Sequence, residues 1–191
     1  MKLEIQNNIG SYIYHQVKQL NILKRISSEF LPFQEIDFDI ADCALLDLNY
    51  LNLYHSIYLI QVREFGEVIN GGNFCKIIEK VKEKNKKKFK LPKINFENSG
   101  SKFLYIGKST GSLKLRLEQH FKSNITKTYA LHLCRWNDNE KLRNMKFTLY
   151  YTSLDFEKFG IEERSQQKDL LEMAESALHK EHKPLLGRSG H

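Results

Sequence analysis

The chain is poor in cysteine: Cys43, Cys75 and Cys134 are its only 3 in 191 residues. An odd count at these spacings builds neither a disulfide framework nor a zinc-binding pattern. Each reads as a reduced, small apolar side chain. Proline is equally rare, and each of the 3 falls at a break. Pro32 interrupts the early chain, Pro92 closes a basic tract, and Pro184 stops the last helical pattern. Long apolar runs are missing too. None approaches the ~20 residues needed to span a bilayer, so no transmembrane helix is expected. Met1-Lys2-Leu3-Glu4 has no signal-peptide apolar stretch, so a cytoplasmic location is expected.

What is present is a basic, well-packed composition. Net charge is +7, hydrophobic residues make up 41% and aromatics 12%. That excludes a disordered chain and points to an anionic partner, nucleic acid before an anionic membrane. The length suits one domain with a sizeable core, or one domain plus a small accessory element.

Residues 1–52 read as an N-terminal helical accessory segment. Ile13, Val17, Leu20, Leu23 and Ile26 recur at helical spacing, which predicts a helix over 11–26. Asp37, Asp39, Asp42 and Asp47 follow. They are read as caps and solvated faces, because their spacing fits no metal-binding loop.

Residues 53–191 form the main unit. Ser56 to Val62 is β-branched and aromatic and predicts a strand. A lysine-rich insertion follows, at about 63–101. It opens with a turn or hairpin over Arg63 to Gly72, and Phe74, Ile77, Ile78 and Val81 give it a helical apolar face. Lys80, Lys82, Lys84, Lys86, Lys87, Lys88 and Lys90 make it the most basic tract. Such a run can track a phosphate backbone or can be a solvated loop.

Phe103 to Ile106 predicts a second strand, ending at Gly107. A polar turn over Ser109 to Ser112 leads into a basic helix with Lys114, Arg116 and His120. Thr128 to Trp136 reads as a short helix and Lys146 to Ser153 as a third strand. Ile161 to His182 is the longest helix, with Leu170, Leu171, Ala174, Ala177 and Leu178 as its apolar stripe. The order predicts an α+β fold, a central three-stranded antiparallel sheet flanked by helices.

Tyr58 and Tyr105 fall on adjacent predicted strands, and Arg116 and His120 lie one helical turn apart. Glu175 sits inside an apolar stripe, where a carboxylate is either solvated at its edge or buried with a partner. Taken singly, the tyrosines read as core-edge aromatics and Arg116 as a surface charge. His132, His179 and His182 are read as solvated or capping histidines.

Together these residues resemble the GIY-YIG nuclease family. Tyr105-Ile106-Gly107 stands as its second signature, and Ser56-Ile57-Tyr58 resembles the first with serine for glycine. Arg116, His120 and Glu175 follow in the family's order, over 56–62 and 103–187. The resemblance implies metal-dependent hydrolysis of DNA phosphodiesters, duplex DNA first. One divalent ion, Mg²⁺ or Mn²⁺, would be held by Glu175. Tyr58 would be the general base, its hydroxyl (ordinarily near ~10) favoured by Arg116 and Lys108 as cationic neighbours. Arg116 would also fork onto the phosphate, while Tyr105 and His120 position the reactants. The lysine tract and Lys114 would bind DNA.

Two departures stand out. The insertion sits between the signature strands, where the family has a short hairpin. Leu185-Leu186-Gly187 stands where an asparagine is usual, so any hydrogen bond made by that asparagine must come from elsewhere. The expected role is an endonuclease of bacterial restriction or phage defence, with a homodimer suggested by double-strand cutting. The alternatives are a repair or recombination nuclease on structured DNA, or a nucleic-acid-binding module without catalysis.

Overall fold

The computed structural model describes residues 33–68, 70–122 and 128–188. The helix expected at 11–26 lies outside them.

The sheet is built from β1 (Gln34–Asp39), β2 (Ser56–Glu64), β3 (Phe103–Ser109) and β4 (Lys146–Ser153). All pairings are antiparallel, in the order β1-β4-β2-β3. The expected three-stranded sheet is therefore four-stranded. The added strand, β1, is mostly polar, with only Phe38 fully inside. Its acids have structural partners: Asp37 pairs with Arg63 and accepts from Thr148 Oγ1 at 2.6 Å, and Asp39 faces Arg63 at 3.8 Å. Arg63 and Glu64, expected to begin the insertion, continue β2.

Helices cover both faces of the sheet. α1 (Gly71–Asn85) and α2 (Leu113–Phe121) share one core with Tyr58, Ile60 and Val62. On the opposite face α3 (Arg164–His182) packs Leu170 and Leu171 against Ile57, Leu59 and Ile106. The alternation of strand side chains makes both faces apolar along β2. Each fully buried large apolar side chain, such as Phe74 or Phe147, contributes ~1.5–3 kcal/mol of transfer free energy.

α1 begins where Asn70 caps it, its side chain accepting from the Asn73 N–H at 3.0 Å. Phe74 and Ile78 are buried and Ile77 and Val81 pack against the core, as the apolar face predicted. The helix expected at 128–136 is instead an extended bridge at Tyr129 and a single 3-10 turn, Leu133–Trp136. His132 causes the break, since its φ of 53° lies in the left-handed region.

The segment after Pro184 runs alongside β3. Leu185 and Leu186 donate to the carbonyls of Phe103 and Leu104, and Gly187 donates to that of Lys93, all at 2.8–2.9 Å. The chain after α3 is thus held between the edge strand and the end of the insertion.

Candidate active site

Tyr58 and Tyr105 project from β2 and β3 toward α2. Tyr58 pairs with Gly107 across the strands, which puts Tyr105 on the diagonal. The two rings stack with centroids 6.2 Å apart. Ser112 caps α2, its hydroxyl accepting from Leu115 N–H at 3.4 Å. From that helix Arg116 and His120, one turn apart, both reach Tyr58.

The hydrogen bonds fix a direction. His120 Nδ1 accepts from the Leu131 N–H at 3.2 Å. A ring nitrogen that accepts carries no proton, so the neutral ring bears its proton on Nε2. Nε2 then donates to Tyr58 Oη at 2.8 Å. Arg116 Nε donates to the same oxygen at 3.2 Å. Tyr58 therefore accepts twice, and its own proton is free for Tyr105. Arg116 Nη2 also approaches Tyr105 Oη at 3.5 Å and the Tyr129 carbonyl at 3.4 Å, while Nη1 donates to Gln119 Oε1 at 2.8 Å.

Burial dominates the electrostatics. It pushes the Tyr58 hydroxyl far above its ordinary range; neighbouring Tyr105 and Glu175 add to the rise and Arg116 opposes it. Tyr105 is raised mainly by burial too, with Arg116 and the hydrogen bond from Tyr58 pulling it down. His120 is wholly buried and held neutral, by desolvation first and by Arg116 and His132 next. Accessibility separates the tyrosines. Tyr58 is 0% exposed, whereas Tyr105, at 9%, lines a cavity of about 400 Å³. The hydroxyl expected to act on water is enclosed, and its partner is the one that meets the cavity.

Glu175 is buried on α3, which decides between the two alternatives its place in the stripe left open. The stripe itself is rotated: Ala177 is exposed, and Glu175 and His179 are inside. His179 was expected in solvent, but its Nε2 lies 3.2 Å from the Ile106 carbonyl. His132 is likewise buried, its ring 4.8 Å from that of Phe89. Lys108 does not neighbour Tyr58. Its amine lies 3.1 Å from Glu172 and 3.4 Å from Glu175, on the opposite face of β3 from Tyr105. Desolvation raises the Glu175 carboxyl, with Lys108 working against that rise.

Among the described residues no three His, Cys, Asp or Glu side chains converge as a metal cage. Glu175 and Glu172, however, present carboxylate oxygens to one cation, the Lys108 amine. A hard divalent ion needs few protein ligands of this type and keeps waters. A buried carboxylate raised by desolvation gains from such a charge, so the pair fits the group. Glu172 was missed in the sequence; its spacing of three from Glu175 was the available signal.

The lysines of the tract fall in different surroundings. Lys80, Lys84 and Lys88 line a separate cavity of about 360 Å³ with Arg135. Lys82 faces the Tyr105 cavity. Lys86 pairs with Glu83 at 3.1 Å and Lys87 is exposed. Lys90 Nζ lies 5.7 Å from the Tyr129 ring centroid. Lys114, apart from the tract, donates to Asn49 at 2.6 Å.

Asn95 was not foreseen. Its buried amide donates to the carbonyls of Pro184 at 3.0 Å and Gly187 at 3.1 Å. The insertion thereby supplies an asparagine to the segment that lacks its own. No family model, curated protein or solved structure matches the chain.

Proposed function

We propose that this chain is a metal-dependent DNA endonuclease with a GIY-YIG-like site, acting in restriction or phage defence. The observation that carries the reading is the Arg116 guanidinium held between two tyrosine hydroxyls, beside a basic cavity and across β3 from the buried Glu175 and its half-buried neighbour Glu172. Hydrolysing a phosphodiester requires a base for water, positive charge for the phosphate, and help for the departing oxygen.

This chain's residues divide that work. Arg116 offers a planar cation already oriented by Tyr58, Gln119 and the Tyr129 carbonyl, so little order is lost when it binds an anion. Tyr105 is the tyrosine that lines the cavity and takes the proton from water. Tyr58 donates to Tyr105 and is itself held by Arg116 and His120, so the developing tyrosinate is hydrogen-bonded as it forms. A divalent cation, Mg²⁺ or Mn²⁺, held by Glu175 with Glu172 would supply the positive charge that the phosphate and leaving oxygen need. It would also offset the field with which Glu175 raises both tyrosines.

Glu175→Ala should abolish Mg²⁺- or Mn²⁺-dependent nicking of supercoiled plasmid, by at least ~10²-fold, while DNA affinity in EDTA stays near wild type. Undiminished cleavage by that variant would sink the mechanism. A wild-type protein that binds DNA but never nicks it would favour a binding module without catalysis.

A further inference from the structure

The cavity in front of Tyr105 has a composition that the proposed hydrolysis does not explain. Its wall carries Lys82, Lys93 and Arg188, with Pro92, Tyr129 and Gly187, and no carboxylate. At about 400 Å³ it falls within the ~300–1,000 Å³ typical of small-ligand sites. A second cavity, of about 700 Å³, shares Lys93, Gly187 and Arg188 with it and continues past Ser176 and His179 of α3. The two cavities lie on either side of that shared wall.

Tyr129 is the unusual member. At 61% exposure it is the most exposed aromatic among the described residues. Yet its backbone is fixed twice over, bridging to Lys90 and accepting from Arg116. A firmly anchored residue with an exposed ring, one hydrogen bond from the proposed phosphate clamp, is a stacking platform. Every base offers a π-face, so the platform needs no sequence. The three cations beside it suit a phosphate. Lys82 is steadied by the Pro92 carbonyl at 3.4 Å, and the Lys93–Glu97 pair at 3.7 Å is exposed enough to yield to an anion.

We infer that this cavity seats the nucleotide next to the reacting phosphate, its own phosphate on Lys82, Lys93 and Arg188 and its base against Tyr129. The inference rests on the nuclease reading and narrows its substrate. A base that lies on Tyr129 cannot be paired in a duplex, so the preferred DNA has an unpaired nucleotide at the cut: a single strand, a flap or a bulge. It also gives the insertion a role. Lys82, Pro92 and Lys93 all come from it, so it completes the substrate cavity and is not a remote tether.

The test uses the full chain carrying Glu175→Gln, which removes cleavage from the measurement. Fluorescence anisotropy would give Kd for a blunt duplex, the same duplex with a short bulge, and a single strand. Tyr129→Ala should weaken bulged and single-stranded DNA about tenfold and leave the duplex unchanged, while Tyr129→Phe keeps wild-type affinity for all three. Lys93→Ala with Arg188→Ala should lower the salt slope on single strands by about 0.7 for each contact removed. Equal affinity of Tyr129→Ala and its parent for all three DNAs, or an equal loss on all three, would overturn the inference. The nuclease reading fails separately: if wild type cleaves nothing with Mg²⁺ or Mn²⁺ but the Tyr129 pattern holds, the site binds unpaired nucleotides without cutting them.

Discussion

A Cβ placed on Gly107 would lie 2.5 Å from Tyr58 Oη and 2.8 Å from Tyr105 Cε1. Tyr58 is enclosed and cannot retreat, so any larger residue at 107 must push the two hydroxyls apart. That is a physical reason for glycine at the end of Tyr105-Ile106-Gly107, independent of any resemblance. The same closeness lets Tyr58 donate to Tyr105, and it sets up a distinction between them. Both hydroxyls are raised above the ordinary tyrosine value, by burial first. A base with a raised pKa is mostly protonated near neutrality, and its active fraction grows about tenfold per pH unit below that pKa. Wild-type nicking should therefore accelerate as pH rises above neutrality. Tyr105→Phe should lower the rate by ~10²–10⁴-fold and flatten that rise. Tyr58→Phe should lower the rate but keep the rise, because Tyr105 still titrates. Initial nicking rates over an alkaline pH series decide it; a profile flattened only by Tyr58→Phe would return the base role to Tyr58.

The elements show how a cavity is assembled from distant pieces. The segment after Pro184 lies between β3 and the end of the insertion, and Gly187 carries a φ of 110° that only glycine adopts easily. Asn95 ties this segment down through two buried hydrogen bonds. Asn95→Ala removes the side-chain donor to the Gly187 carbonyl, while that of Pro184 keeps Asn98 Nδ2 at 3.0 Å; a buried bond left unmade costs ~1–3 kcal/mol. The expected outcome is a lower melting temperature by circular dichroism, with a larger proportional loss in nicking than in stability at 25 °C, because Gly187 packs against Tyr105. An unchanged melt would show that the tail is held without Asn95, by its backbone bonds and by Asn98, which donates to the Pro184 carbonyl at 3.0 Å. This clamp was invisible in the sequence because its partners are 89 and 92 residues away. β2, β3 and β4 were legible, since their β-branched and aromatic runs advertise buried strands. β1 was not: it lies in the segment read as a helical accessory, and Asp37 and Asp39, read as caps and solvated faces, have Arg63 and Thr148 as partners. Residues 128–136 misled because an apolar spacing suggested a helix, whereas His132 turns left-handed. Periodicity placed Arg116 and His120 on one helical face, and the resemblance to the GIY-YIG family joined them to Tyr58 and Tyr105. Which tyrosine faces the cavity was not legible, because accessibility depends on what packs above both rings.

At the scale of the whole molecule folding encloses three histidines, His120, His132 and His179, and partly covers a fourth, His55. His55, His120, His132 and His179 are each lowered from their ordinary value, in every case by desolvation first. His120 has both ring nitrogens committed, Nδ1 to the Leu131 N–H and Nε2 to Tyr58. Protonating Nδ1 would break the Leu131 bond and set two donors against each other. The sign of the linkage follows from this. Below the unfolded histidine value of about 6.5, the unfolded chain binds protons that the folded chain refuses. Stability contributed by the neutral histidines is thus complete above that value and is lost as pH falls toward the lowered folded values. Each proton by which the states differ contributes a slope of about 1.4 kcal/mol per pH unit. Glu175 acts in the opposite sense, since its raised carboxyl makes the folded state the better proton acceptor at acid pH. It is one group against several, so the net direction belongs to the histidines. The melting temperature should fall as pH is lowered from about 7.5 to about 5, and a Glu175→Gln chain should fall more steeply once its compensating proton is gone. His120→Asn keeps a polar side chain of shorter reach without an imidazole to charge. It should melt lower than wild type at neutral pH and lose less with acidification. A pH slope identical to wild type in that variant would mean that His120 is not held neutral by the fold, and the proton order drawn from Leu131 through Tyr58 to Tyr105 would fall with it.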